Sequence, residues 1–287
     1  MKKMLASTAI LSLAGLTSAL AADIGSPPVV YPPVINEPLR PAIEVSSSSG
    51  WYLRGDLGFN YNHLSGIEAY PAGNGTNTFT KAKLKSSFSV GAGVGYRISN
   101  RVRTDLTLDY LTRSKFVGAT VGSCGVGANC TSTDLASFTA WSLLANAYVD
   151  LFTYGRVTAY AGAGLGATYI NWEDLKNTAC LTATPTTCDA TVTHRGASGW
   201  RATAALMAGA SVKINCALAA DVGYRYRYMA GGSMFGRAVT GGTATGPGVN
   251  KAIHSHEGRA GLRYSFGGCS DTYIPPYEPP TLPPVYK

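Results

Sequence analysis

The chain is short of charge. Asp, Glu, Lys and Arg make up 14 % of its 287 residues, against about 25 % in an ordinary soluble domain. Long apolar runs are also missing. Beyond the first twenty or so residues no stretch holds 18 uncharged apolar side chains, which excludes transmembrane helices, since these need about 20. No CxxC pair occurs and no histidine stands at zinc-finger distance from a cysteine, which excludes a cysteine-based zinc site. "HEGRA" (256–260) lacks the second histidine of a zinc protease. "GAGVGY" and "GAGLGATY" space their glycines at i, i+2 and i+4, unlike the GxGxxG of a nucleotide loop, and no helical pattern follows. No Ser-His-Asp set can be assembled. The expectation is a protein that is not an enzyme, with no cofactor, no metal and no nucleic-acid partner.

What the chain does hold is glycine (34 residues), tyrosine (17) and alternation. It begins "MKKMLASTAILSLAGLTSALAAD": Lys2 and Lys3, an apolar run from Met4 to Leu16, and the small-x-small triplet Ala19-Leu20-Ala21. Residues 1–21 therefore read as a secretory signal cut between Ala21 and Ala22. Its loss lowers the formal charge from +8 to about +6. Residues 22–49 are rich in Pro and Ser, and residues 267–287 return to proline ("YIPPYEPPTLPPVYK", from Tyr273). Such segments lack ladder donors and favour extended conformations, so both read as periplasmic tails with the cell wall as a partner. Six cysteines in an exported chain read as disulfides. Spacing favours Cys124–Cys130 and Cys180–Cys188 as local staples, leaving Cys216–Cys269.

Between the tails, residues 50–266 repeat with period two. Residues 51–61 put Trp51, Leu53, Gly55, Leu57, Phe59 and Tyr61 on one face, with Tyr52, Arg54, Asp56, Gly58 and Asn60 on the other. The pattern recurs over 88–98, 102–113, 141–151, 157–169, 200–214, 218–228 and 254–266. Eight segments of roughly ten or more residues with one apolar face are the mark of transmembrane β-strands. The connections 99–101, 152–156 and 215–216 are short. Those near 62–86, 114–136, 170–198 and 229–252 are long. Short periplasmic turns and long extracellular loops alternate in this way in outer-membrane barrels. The expected fold is all-β: an eight-stranded antiparallel transmembrane β-barrel with four long extracellular loops.

A strand in lipid must pair on both sides, so the sheet closes. The inward face then carries Arg54, Asp56, Arg103, Asp105, Asp109, Asp221, Arg225, Arg227, Glu257, Arg259 and Arg263, with Arg113 at the end of its segment. Charges of both signs in a narrow interior must pair, which predicts a lumen network that plugs the barrel. The alternative is a narrow porin-like channel. The tripeptide Arg54-Gly55-Asp56, an adhesion signal on a loop tip, reads here as strand, with Arg54 and Asp56 turned inward together. Aromatic residues at the strand ends, Trp51, Tyr96, Tyr264 and Phe266 at one level and Phe59, Tyr61, Tyr110, Tyr169, Trp200, Tyr226 and Tyr228 at the other, form two interfacial girdles. His63, His194, His254 and His256 fall near the outer strand ends. They read as polar rim residues, with a haem- or metal-binding surface receptor as the sharper alternative.

"GWYLRGDLGFNYN", "SVGAGVGYRI", "RTDLTLDY" and the final "GLRYSF" resemble the small eight-stranded outer-membrane proteins of alphaproteobacteria, within the opacity-protein-like barrel group of porin-family surface antigens. The resemblance covers roughly residues 50–266. It implies a structural protein or surface antigen of the Gram-negative outer membrane, tied to adhesion or envelope integrity. Its partners would be outer-membrane lipid and lipopolysaccharide, and a host or cell-surface ligand met through the loops. It carries no catalytic residues.

Overall fold

Period-two segments give strands only if partners satisfy their backbone groups, and here they do. The computed structural model describes residues 50–65, 69–72, 75–240 and 248–266. The expected signal peptide with its Ala21–Ala22 cut and the two proline-rich tails lie outside the described residues. In chain order the strands are β1 (Gly50–Ser65), β2 (Ala69–Ala72), β3 (Gly75–Thr78), β4 (Lys81–Leu84), β5 (Ser87–Arg97), β6 (Val102–Ala119), β7 (Val121–Cys124), β8 (Gly127–Tyr154), β9 (Val157–Trp172), β10 (Leu175–Leu181), β11 (Val192–Gly196), β12 (Ser198–Lys213), β13 (Leu218–Thr240) and β14 (Gly248–Ser265). Eight of them pair in a closed cycle. β1 pairs with β5, β5 with β6, β6 with β8, β8 with β9, β9 with β12, β12 with β13 and β13 with β14, and β14 returns to β1. Every pairing is antiparallel. The closing seam runs from Tyr52 opposite Ser265 to Ser65 opposite Ala252. A cycle leaves no unpaired edge.

The eight segments form strands with the expected alternation. Leu57, Leu165, Trp200 and Val222 are exposed, whereas Arg54, Asp105, Arg225 and Glu257 are buried. In a small ring this means an apolar exterior and a filled interior. Cross-strand aromatic pairs sit at two levels of the exterior: Trp51 against Tyr96 at 5.3 Å, and Phe59 against Phe88, Tyr110 against Trp141 and Tyr169 against Trp200 at 4.8–5.4 Å. The hairpin between β8 and β9 turns at Gly155, whose φ of 58° suits glycine. Two inward glycines face large rings. A Cβ at Gly95 would run into Tyr52, and one at Gly162 into Tyr148.

The long connections differ from expectation. Residues near 62–86, 114–136, 170–198 and 229–252 were expected as loops, but much of each is sheet. β8 runs for 28 residues and β13 for 23, and β10 pairs with both β8 and β11. Antiparallel pairing needs no bilayer, and Thr- and Asn-rich strands satisfy their backbones as well in water. The interior face also changes phase. In β6 the register to β8 shifts between Leu111 and Ser114. Such a bulge adds one residue and flips every side chain beyond it. Arg113, expected inward, is therefore exposed and pairs with Glu173 at 2.5 Å.

Candidate functional site

The interior is built in layers, each set by strand register. Nearest the short turns, Arg103 Nε lies 3.3 Å from Asp150 Oδ1. The Arg103 guanidinium sits 4.5 Å and 4.6 Å from the ring centres of Tyr148 and Tyr160, so π-faces supply the partners its other nitrogens lack. Arg263 Nη2 donates to Ser211 Oγ at 2.7 Å and lies 3.6 Å from Asp221 Oδ1. One layer up, Arg54 grips Asp56 through Nε (2.8 Å) and Nη2 (2.9 Å) and reaches Asp105 through Nη1 (2.8 Å). Arg259 Nη2 meets Asp56 at 2.7 Å. The Arg54 and Asp56 side chains of the tripeptide are thus paired with each other inside the ring, while Gly55 faces outward. In the next layer Arg225 donates to Asp109 Oδ2 at 2.8 Å and to both oxygens of Glu257 at 2.9 Å, while Arg227 Nη2 reaches Glu257 Oε2 at 3.0 Å.

Of the charged residues read from the sequence as inward, eleven are buried and Arg113 alone is exposed; ion pairs join the buried ones, with Asp150, in three layers. Sequence reasoning left out the neutral partners. Tyr52 and Tyr148 hydroxyls bond Asp105 and Arg54, and Asn146 Nδ2 donates to Asp105 Oδ1 at 2.7 Å. Buried ions cost several kcal/mol each in desolvation unless so paired. Above them Asn60, Ser89, Thr168, Thr203 and Ser255 make a neutral polar layer.

Beyond that layer the interior turns apolar. Leu111, Phe116, Phe138, Ile170, Trp172, Met229, Met234, Phe235 and Ile253 form one buried cluster with Leu84 and Leu175. Phe138 and Trp172 rings lie 4.9 Å apart, and Phe116 meets Phe235 at 5.8 Å. This cluster went unread in the sequence. Its signal is there: Ile170 and Trp172 continue the inward phase of Thr168 with no polar residue between them on that face.

Outside the cluster, where strands run past the ring, a cavity of about 220 Å³ opens. Leu175 and Phe235 floor it, and Thr120, Ser132, Asp134, Asn177 and His194 line it. The Asp134 carboxylate accepts from Ser132 Oγ at 2.7 Å and from Asn177 Nδ2. Burial raises its pKa above the ordinary carboxylate value, against the opposing pull of those two hydrogen bonds and of His194. Disulfides Cys124–Cys130 and Cys180–Cys188 close the hairpin tips around it. Cys269 lies outside the described residues, so the expected Cys216–Cys269 bridge does too.

The other histidines are on the exterior. His63 stacks on His254 (5.0 Å) and on His256 (5.3 Å). Tyr226 and Tyr224 hydroxyls lie 2.5 Å from their respective Nδ1 atoms. Stacked rings do not aim their nitrogens at one point. Among the described residues no group of three or more His, Cys, Asp or Glu is placed to hold a metal ion.

The model of the outer membrane protein beta-barrel domain matches residues 10–266. The chain belongs to that family. An uncharacterised protein of Brucella abortus is 34 % identical to this outer-membrane β-barrel over 282 residues, 88 % of this chain and 96 % of that one. A candidate adhesin of Rickettsia felis is 32 % identical over 124 residues, 42 % of this chain and 51 % of that one. Among solved structures, the outer membrane protein OprG from Pseudomonas aeruginosa covers 77 % of this chain and 97 % of its own at 15 % identity and a TM-score of 0.44. The protein is an outer-membrane protein of Gram-negative type, and its apolar exterior meets lipid.

Proposed function

We propose that this chain is a sealed, eight-stranded outer-membrane barrel that serves as a structural and surface protein. Its short turns lie in the periplasm and its four long hairpins outside. The charge network plugs the lumen, and the outer end makes the contacts, in adhesion, envelope integrity or as a surface antigen. The observation that carries this reading is the doubly filled interior: three layers of paired charge below, an apolar cluster above. A narrow channel needs a continuous wet path, and the Phe116, Phe138 and Trp172 rings stand across it. The likeness of part of the chain to a candidate adhesin supports a role for the outer end.

Two measurements test this. In planar bilayers the folded protein is expected to show no stable openings, and sustained conductance would refute the sealed lumen. Cells carrying the barrel with residues 176–192 replaced by a Gly-Ser linker are expected to lose adherence to a host-cell monolayer. Unchanged adherence would remove the outer end from that role.

A further inference from the structure

Five cations share one outward face at the outer end. Lys81 and Lys83 lie on β4, Lys85 follows it, and Arg113 and Lys115 lie on β6; all five are exposed. Their shared face results from two phase changes. Continuing the alternation of Ser87 and Ser89, both buried, would aim Lys85, Lys83 and Lys81 inward. Continuing that of Asp109 and Leu111 would do the same to Arg113 and Lys115. Instead β6 shifts register between Leu111 and Ser114, and β4 stays in step with it, so Leu84 and Phe116 are buried opposite each other while the cations turn out. The Lys85 amide donates to the Lys115 carbonyl at 2.8 Å, which sets these two lysines side by side. Lys83 and Lys81 follow at strand spacing, about 7 Å per pair of residues. Arg113 is matched by Glu173. Among the described residues none of the four lysines has an ion pair. Like charges opposed across strands are destabilising, so the arrangement is one that an anion would relieve.

The level of the patch identifies the anion. Phe88, three residues after Lys85, is 65 % exposed and packs on Phe59, next to the pair Tyr110 and Trp141. These rings mark where the exterior passes from hydrocarbon to headgroup. We propose that Lys81, Lys83, Lys85 and Lys115 bind the phosphate groups of a phosphorylated glycolipid in the outer leaflet. The glycolipid's acyl chains would lie against the apolar wall below, and its phosphates would meet four ammonium donors. This deepens the lipid contact of the barrel and rests on the orientation under Proposed function.

The test uses the full chain in nanodiscs that contain the outer-leaflet glycolipid in bisphosphorylated or dephosphorylated form. Glycolipid retained per protein is read by native mass spectrometry. The bisphosphorylated form is expected to be retained at least tenfold more, and the difference to vanish in Lys81→Gln/Lys83→Gln/Lys85→Gln/Lys115→Gln, at about fivefold per lysine. The control Lys176→Gln/Lys251→Gln keeps it, and heat-modifiable gel mobility checks that each variant is folded. Equal retention by wild type and the quadruple variant overturns the proposal. So does equally tight binding of soluble tripolyphosphate or of an anionic polysaccharide, which would remove the lipid assignment. Lys83→Cys on intact cells, treated with an impermeant thiol reagent, separates the two readings. No labelling sinks the orientation and this site together. Labelling without glycolipid preference sinks this site alone.

Discussion

The two halves of the lumen solve one problem with opposite chemistry. Near the short turns, Arg54, Arg103, Arg225, Arg227, Arg259 and Arg263 fill space by pairing with Asp56, Asp105, Asp109, Asp150, Asp221 and Glu257. At the end away from those turns, Leu111, Phe138, Trp172 and Ile253 fill it by packing. The ionic half is directional, since each guanidinium fits few partners. The apolar half tolerates the bulge that the change of phase requires. Where the exterior must be apolar for lipid, a charged interior still gives each strand a distinct inside. Once the strands leave the bilayer that distinction is not needed, and an ordinary core can form.

Substitutions can break this comparison. The largest effect is expected at Arg225, which holds Asp109 and Glu257 together. Arg225→Ala leaves two buried carboxylates short of a partner and is expected to cost about 3–5 kcal/mol, read as a lower urea midpoint in lipid vesicles. In the apolar half, Ile253→Val removes one buried methylene-sized group and is expected to cost about 0.5–1.5 kcal/mol by the same measurement. A loss at Ile253 as large as that at Arg225 would erase the contrast between the halves.

Two smaller effects sharpen it at the outer end. Burial lifts the pKa of Asp134, which lies beyond the membrane-spanning part, above its unfolded value. The folded state therefore binds more protons than the unfolded chain, and stability falls as pH rises from the ordinary carboxylate range through the raised value. Asp134→Asn removes this loss. The variant is expected to melt above the wild type at pH 7, with the gap closing toward pH 4. A gap independent of pH would contradict the assignment. At the exposed Arg113–Glu173 pair, with side chains 63 % and 40 % accessible, Arg113→Ala is expected to cost under about 1 kcal/mol. A large loss there would mean that Arg113 serves the interior after all.

Legibility in the sequence followed the same division. From Tyr52 to Asn60 and from Arg103 to Asp109 alternation is unbroken, so parity alone named the buried charges. Beyond Leu111 one inserted residue reverses parity. Parity continued past that point places Arg113 inside and Phe116 outside, whereas Arg113 is exposed and Phe116 stands in the core. A bulge leaves little trace in composition, because Thr112 and Arg113 suit a strand on either face. The outer strands β7, β10 and β11 escaped notice for a related reason. They are only four to seven residues long, too short to carry a clear apolar period. His63, His254 and His256 were brought together by the closing seam between β1 and β14, which follows from the ring itself.

In the barrel proposed above, neighbouring residues on each strand alternate between hydrocarbon and a closed interior. A photoactivated reagent dissolved only in the bilayer, followed by peptide mass spectrometry, tests it most directly. Label is expected on Leu57, Leu165 and Val222 and none on Arg54, Asp105 or Asp221. Label on the charged set with the aliphatic set spared would contradict it.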